Sequence, residues 1–181
     1  MFDKPCAIIC YDRSGREVIL SNDSSDPTKQ TVIYADGRPD GKLPHGFDYA
    51  LDYYQNSLEL KLESGSQYFV LDRTASMELL EEALELRYRY DQLLPFNQQR
   101  KILRDTGNVV GIYEMMLQYS SDAESVGHMK RIWPDAVYVN AHARSAIAVE
   151  EGDYKGALAS IDSALERVRA VEEPIEHDDK S

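Results

Sequence analysis

The sequence is poor in the residues that build disulfide frameworks, metal centres and membrane spans. Its two cysteines, Cys6 and Cys10, would lie about 13 Å apart along one face of a strand, too far for a disulfide bond. The four histidines are scattered, and no window approaches the roughly 18 apolar residues that a membrane span needs. The N-terminal MFDKP lacks the basic start and apolar run of a signal peptide. We therefore expect two buried reduced thiols, no metal ion or other cofactor, no membrane contact and a cytoplasmic location.

Catalytic motifs are missing as well. The chain has no P-loop, no G-x-G-x-x-G fingerprint and no G-x-S-x-G nucleophile elbow. Its adjacent acids, Glu81 with Glu82 and Glu150 with Glu151, fall on expected helices, where neighbouring side chains point about 100° apart and do not form a catalytic dyad. We interpret both pairs as solvent-facing and expect no enzyme activity.

Negative charge dominates the composition. The chain has 32 acidic and 20 basic residues and a net charge of −12, so its average field repels phosphate and general nucleic-acid binding is not expected. One stretch is basic, with cationic side chains among tyrosines: Arg87, Arg89, Arg100, Lys101 and Arg104. We interpret it as the solvent-facing sides of two helices, and a phosphate site there is the alternative.

The first seventy residues show the patterns of β-strands. Two runs rich in β-branched residues, Cys6–Tyr11 and Glu17–Leu20, are joined by DRSG, whose residue types suit a tight turn. A third strand is expected over Thr31–Ala35. Leucine then alternates with charged residues over 57–63, which predicts an antiparallel hairpin with 67–71.

From position 74 the apolar period becomes that of a helix. Thr74 or Ser76 is the expected N-cap, and Pro95 marks the end of the helix. The apolar residues recur at steps of four and three, as in a buried stripe: Leu79, Ala83, Leu86, Tyr90 and Leu93. This spacing predicts that one face of the helix packs into a core.

Four further helices are expected after Pro95. They cover about 97–119, then Ala123 to near Trp133-Pro134, then 135–150 and 154–171. Strands followed by helices, rather than alternating with them, predict an α+β fold in which a small antiparallel sheet packs on a helical bundle.

This order of elements divides the chain into three expected regions. A sheet region covers 1–72, a helical bundle covers 73–172, and a flexible acidic tail covers 173–181.

The last two expected helices carry small residues where they would meet. Ala157 and Ala164 lie one heptad apart, and small residues let a neighbouring helix approach closely. They flank an apolar stripe: Leu158, Ile161, Leu165, Val168 and Val171. With the turn at Gly152, this pattern predicts an αα-hairpin.

The hairpin resembles a single tetratricopeptide repeat over residues 138–171. The residues that match the small and turn positions of the repeat are Ser145, Gly152, Tyr154, Ala157 and Ala164. This resemblance implies a helical module that binds other proteins, with the earlier helices acting as degenerate repeats.

Two further resemblances accompany it. The segment around EGDYKGAL is similar in texture to the UvrB/UvrC motif, a helical hairpin that pairs with another copy of itself in excision-repair proteins. The whole chain also resembles uncharacterised bacterial proteins with segments such as HGFDYALDYYQ and LRYRYDQLLPF. Neither resemblance implies catalytic residues.

We therefore expect a non-enzymatic protein–protein interaction or adaptor module. Leu80, Leu84 and Tyr88 form a second apolar stripe on the helix that begins near Thr74. Either other helices of the same chain cover this stripe, or it is exposed and predicts a homodimer interface. One alternative is a small-ligand or anion-binding sensor or enzyme that uses the loop with Arg38, Lys42 and His45. A repair-associated protein with a UvrB/UvrC-like hairpin is a further alternative.

Overall fold

The structure is a computed structural model that describes residues 7–22, 29–66 and 68–172. Cys6 and the expected tail over 173–181 lie outside these residues. No helix in the described part of the chain is both long enough and apolar enough to cross a membrane. Cys10 is a free thiol and is half-buried.

Three antiparallel strands form a sheet at the N-terminal end of the described chain, which confirms the predicted strands. They are β1 (Ala7–Tyr11), β2 (Glu17–Asn22) and β3 (Gln30–Tyr34), in the order β1-β2-β3. The turn between β1 and β2 uses Gly15 at φ +82°, a conformation that favours glycine. The Asp12 carboxylate accepts hydrogen bonds from two backbone N–H groups of this turn.

The second predicted hairpin, 57–63 with 67–71, is wrong. Residues 57–63 belong to helix α1 (Ala50–Glu63). Leucine, glutamate and lysine are good helix formers, and glutamate and lysine are depleted in strands, so propensity outweighs the alternating pattern. Leu60 and Leu62 point to solvent in this helix, which is why their spacing carries no information about a core.

Helix α2 (Arg73–Leu93) confirms the predicted buried stripe. All five residues of that stripe are buried: Leu79, Ala83, Leu86, Tyr90 and Leu93. The N-cap is Asp72 rather than Thr74 or Ser76, because the Asp72 carboxylate accepts the N–H of Ala75 at 2.9 Å.

Glu82 on α2 is fully buried, so the interpretation of the Glu81-Glu82 pair as solvent-facing is wrong for Glu82. Its carboxylate accepts the N–H groups of Ala50 and Leu51 at 2.7 and 3.1 Å, and it thereby caps the N-terminus of α1. Burial raises the pKa of Glu82, while these two N–H groups and Arg38 favour the charged form. Glu82 thus joins α1 to α2.

Helices α3 (Gln99–Tyr119) and α4 (Ala123–Glu150) complete the bundle with α2. The prediction of a helix end near Trp133-Pro134 is wrong, since α4 continues through Pro134. Proline removes one backbone hydrogen bond, but Trp133 and Ala136 on either side are buried, so packing holds the helix together.

Helix α5 (Tyr154–Glu172) returns antiparallel to α4 and confirms the predicted hairpin. Gly152 in the turn has φ +80°, and the Asp153 carboxylate accepts the N–H of Gly156 at 2.9 Å. The architecture of the described residues is therefore α+β, with a three-stranded sheet followed by a helical bundle.

Candidate functional site

Helix α5 carries two apolar stripes, and only one of them packs against the rest of the chain. Its most deeply buried side chains are Ala157, Ala164 and Val168. Leu158 is 68% exposed and Tyr154 is 67% exposed, and Ile161 is also exposed. Leu158 and Ile161 of the predicted apolar stripe therefore face solvent, while the alanines beside the stripe make the close contact with α4.

Helix α4 adds apolar side chains on the same side of the hairpin. Tyr138 and Val149 are exposed, and Ser145 between them is half-buried. Ser145 follows Tyr138 by seven residues and precedes Val149 by four, and these are the spacings of residues on one face of a helix. We call the surface formed by Tyr138, Ser145, Val149, Tyr154, Leu158 and Ile161 the outer face.

The opposite side of the hairpin is polar. A groove of about 300 Å³ runs there between the two helices, and its lining includes Asn140, Arg144 and Arg167. Arg167 pairs with Glu114 of α3 at 2.6 Å. The large exposed apolar side chains of the hairpin are thus concentrated on the outer face rather than in this groove.

The residues predicted for a dimer interface on α2 occupy three different environments. Leu80 is half-buried and packs against the core. Leu84 is 47% exposed. Tyr88 is also exposed, but its hydroxyl donates a hydrogen bond to the Ser21 hydroxyl of β2 at 3.0 Å.

The predicted anion loop brings two of its three cationic side chains together. Arg38 and Lys42 line one open cleft of about 590 Å³ beside the sheet, whereas His45 does not. Asp40 lies beside both cations, 3.2 Å from the Arg38 guanidinium and 3.0 Å from the Lys42 ammonium. Each cation of the cleft loop is therefore already compensated by a carboxylate.

His45 lies on the other side of the loop, against helices α1 and α2. Its ring stacks on Tyr53 with 3.9 Å between the ring centroids. Its Nε2 is 3.1 Å from the Glu78 carboxylate, which also accepts the Tyr54 hydroxyl at 2.7 Å. The structure thus separates His45 from the cleft that Arg38 and Lys42 share.

The interpretation of the basic stretch as solvent-facing holds for Arg100, whose side chain is 82% exposed, and is wrong for Arg89. Arg89 and Asp105 are fully buried and form a bidentate pair with both N–O distances at 2.7 Å. The third guanidinium nitrogen of Arg89, Nη1, donates to the backbone carbonyls of Tyr34 and Gly37, so α2, α3 and the chain at the end of β3 meet at one guanidinium.

The other four basic residues of this stretch also have acidic partners. Arg104 contacts Asp36 and Asp105, and its hydrogen bond to Asp36 holds the pKa of that carboxyl below its usual value. The remaining pairs are Arg87 with Asp135, Arg100 with Glu151, and Lys101 with Glu17. The stretch consolidates the fold rather than presenting an open basic surface.

The outer face was not predicted as a site, although the sequence carries a signal for it. Tyr154, Leu158, Ile161 and Leu165 recur at steps of four, three and four, beside a second stripe that contains Ala157 and Ala164. Two apolar stripes on one helix indicate that the helix has two sets of neighbours.

Comparisons with models of known protein families, with curated proteins and with solved structures found no match for this chain. The resemblances to a tetratricopeptide repeat and to the UvrB/UvrC hairpin therefore stay predictions.

Proposed function

We propose that this chain is a non-enzymatic protein–protein interaction module that binds a helical protein surface through the outer face of α4 and α5. The observation that carries the proposal is the exposure of Tyr154 and Leu158, at 67% and 68%, on a well-formed helix. Contiguous apolar patches of this kind mark interaction sites on soluble proteins. A cytoplasmic location and the absence of general nucleic-acid binding are parts of the same proposal.

The packing of the hairpin supports this reading. Ala157 and Ala164 let α5 lie close against α4, so that the two helices present their outer stripes side by side on a rigid base. An anchor that is already ordered loses little conformational entropy on binding. The outer face is therefore suited to packing against another pair of helices.

The alternative, an anion-binding sensor or enzyme, has weaker support. Arg38 and Lys42 share a cleft, but Asp40 lies within 3.2 Å of both cationic groups. An incoming anion would have to compete with that carboxylate. His45 lies outside this cleft and would not contribute to the site.

A pull-down with purified chain tests the proposed function. Leu158→Glu places a charge at the centre of the outer face, and Leu62→Glu makes the same change at a 59% exposed position on α1. We expect the unaltered chain and Leu62→Glu to retain the same partner protein and Leu158→Glu to lose it. Identical sets of captured proteins for all three chains would contradict the proposal.

A further inference from the structure

We infer that the partner of the outer face is a second copy of this chain, related by a two-fold axis parallel to α4 and α5, so that α4 of each copy packs on α5 of the other. This inference rests on the proposed function and names the partner of the same surface. The dimer interface is then a bundle of four helices, in which every neighbouring pair is antiparallel.

The levels of the two helices fix which residues would meet. Helix α4 ends at Glu150 and α5 begins at Tyr154, so these two residues lie at about the same level. Each residue further back along α4 is then level with the residue the same number of steps further along α5. The lining of the polar groove is compatible with this register, since it takes residues 137–144 from α4 and residues 159–167 from α5. A two-fold axis parallel to the helices preserves these levels between copies.

Shape favours the pairing at the centre of the outer face. Leu158 of one copy comes within one residue of the level of Ser145 of the other, so a large exposed side chain meets a small half-buried one. Tyr154 likewise meets Val149 near the turn. Such large-to-small contacts allow two helices to pack closely.

Charge gives the second and independent argument. Lys155, Asp162 and Arg169 are exposed along one flank of α5, seven residues apart. In the two-fold arrangement they face the flank of the partner copy's α4 that carries Glu150, His142 and Asp135, at matching levels. Lys155 then meets Glu150, Asp162 meets His142, and Arg169 meets Asp135.

These pairs offset part of the general repulsion expected between two chains of net charge −12. Each contact across the flank joins groups of opposite charge or a carboxylate with an imidazole. Asp135 already accepts the Tyr90 hydroxyl and pairs with Arg87 at 3.5 Å, yet its side chain is 47% exposed and has room for a further partner. Complementary rim charges set the register and orientation of an interface.

The size of the surface also fits a dimer. The outer face exposes five apolar side chains, from Ile161 at 37% to Leu158 at 68%, and stable interfaces bury about 800 Å² per partner once their polar rim is included. Helix α2 exposes three such side chains, Met77, Leu84 and Tyr88, each less than half.

Light scattering coupled to size exclusion tests self-association. At tens of micromolar, we expect a mass of twice 20.6 kDa for the unaltered chain. Leu158→Glu should raise the dissociation constant at least about 100-fold, because it buries an unpaired charge at the centre of the interface. The control Leu84→Glu, which alters the weaker patch on α2, should remain dimeric. Circular dichroism checks that both variants are folded.

Engineered cysteines test the register. In a chain with Cys6→Ser and Cys10→Ser, the pair His142→Cys and Asp162→Cys should form a disulfide between copies under mild oxidation. The matched control pairs Asp162→Cys with Arg131→Cys instead of His142→Cys. Arg131 lies on the same flank of α4 as His142 but about 16 Å away along the helix, so the control pair should not cross-link.

Three results would overturn the inference: an unaltered chain that stays at 20.6 kDa, dissociation by Leu84→Glu but not by Leu158→Glu, or equal cross-linking of the two cysteine pairs. A monomer whose pull-down still distinguishes Leu158→Glu from Leu62→Glu would leave the interaction module standing with another protein as its partner. A monomer with no such difference would remove both proposals.

Discussion

At the scale of the residue, the charged side chains of this protein have two different roles. Arg89 and Asp105 are fully buried and depend on each other, since four N–H groups of Arg89 find acceptors within 2.8 Å. Arg100 and Glu151 form an exposed pair at 3.3 Å, with 82% and 61% of their side chains open to solvent. Water screens the second pair and not the first, so equal formal charges have unequal effects on stability.

We predict that Asp105→Ala lowers the free energy of unfolding by about 3–5 kcal/mol, because it leaves the Arg89 guanidinium buried without a counter-charge. Glu151→Ala, which breaks the exposed pair with Arg100, should cost less than about 1 kcal/mol. Urea unfolding followed by circular dichroism measures both changes. Similar losses for the two variants would show that the Arg89–Asp105 pair is solvated in solution.

At the scale of the element, small residues decide how closely α5 approaches α4. Ala157 and Ala164 are each 5% exposed and lie on the side of α5 that meets α4. Ala159 on the same helix is exposed and lines the polar groove. The same residue type therefore has a packing role at two positions and none at the third.

We predict that Ala157→Leu and Ala164→Leu each lower the free energy of unfolding by about 1–3 kcal/mol, because a larger side chain forces the two helices apart. Ala159→Leu is the matched control and should leave stability nearly unchanged. Thermal unfolding at a fixed protein concentration measures the midpoints. Unchanged midpoints for both buried positions would contradict the close contact between α4 and α5.

At the scale of the whole molecule, the distribution of charge bears on whether this protein binds nucleic acid. The chain has a net charge of −12, and each of the five cations between Arg87 and Arg104 has a carboxylate partner in the structure. Phosphate binding would require these pairs to open against the average field.

We predict negligible binding to single-stranded or duplex DNA at physiological salt, as measured by fluorescence anisotropy. The informative comparison is the double variant Arg87→Ala with Arg100→Ala, which removes two partly exposed cations of the basic stretch. Sub-micromolar binding that weakens steeply with salt and disappears in this variant would show that the basic stretch is an open site.

Prediction from the sequence succeeded where a residue pattern allowed only one structural interpretation. The period of α2, with Leu79 and Leu86 on one side, admits a single buried face, and the structure buries it. The outer face could not be assigned in this way. Leu158 and Val168 both belong to apolar stripes of α5, and only the position of α4 decides which of them is covered.

By itself, the sequence determined the three strands, the buried face of α2 and the α4–α5 hairpin, because these follow from local periods and turn residues. The tertiary structure decided the rest. Residues 57–63 belong to helix α1, whose N-terminus is capped by the buried Glu82 of α2. Helix α4 continues through Pro134 because both of its halves pack against the bundle. The burial of Arg89 with Asp105 likewise joins residues from two helices, and no local pattern encodes it.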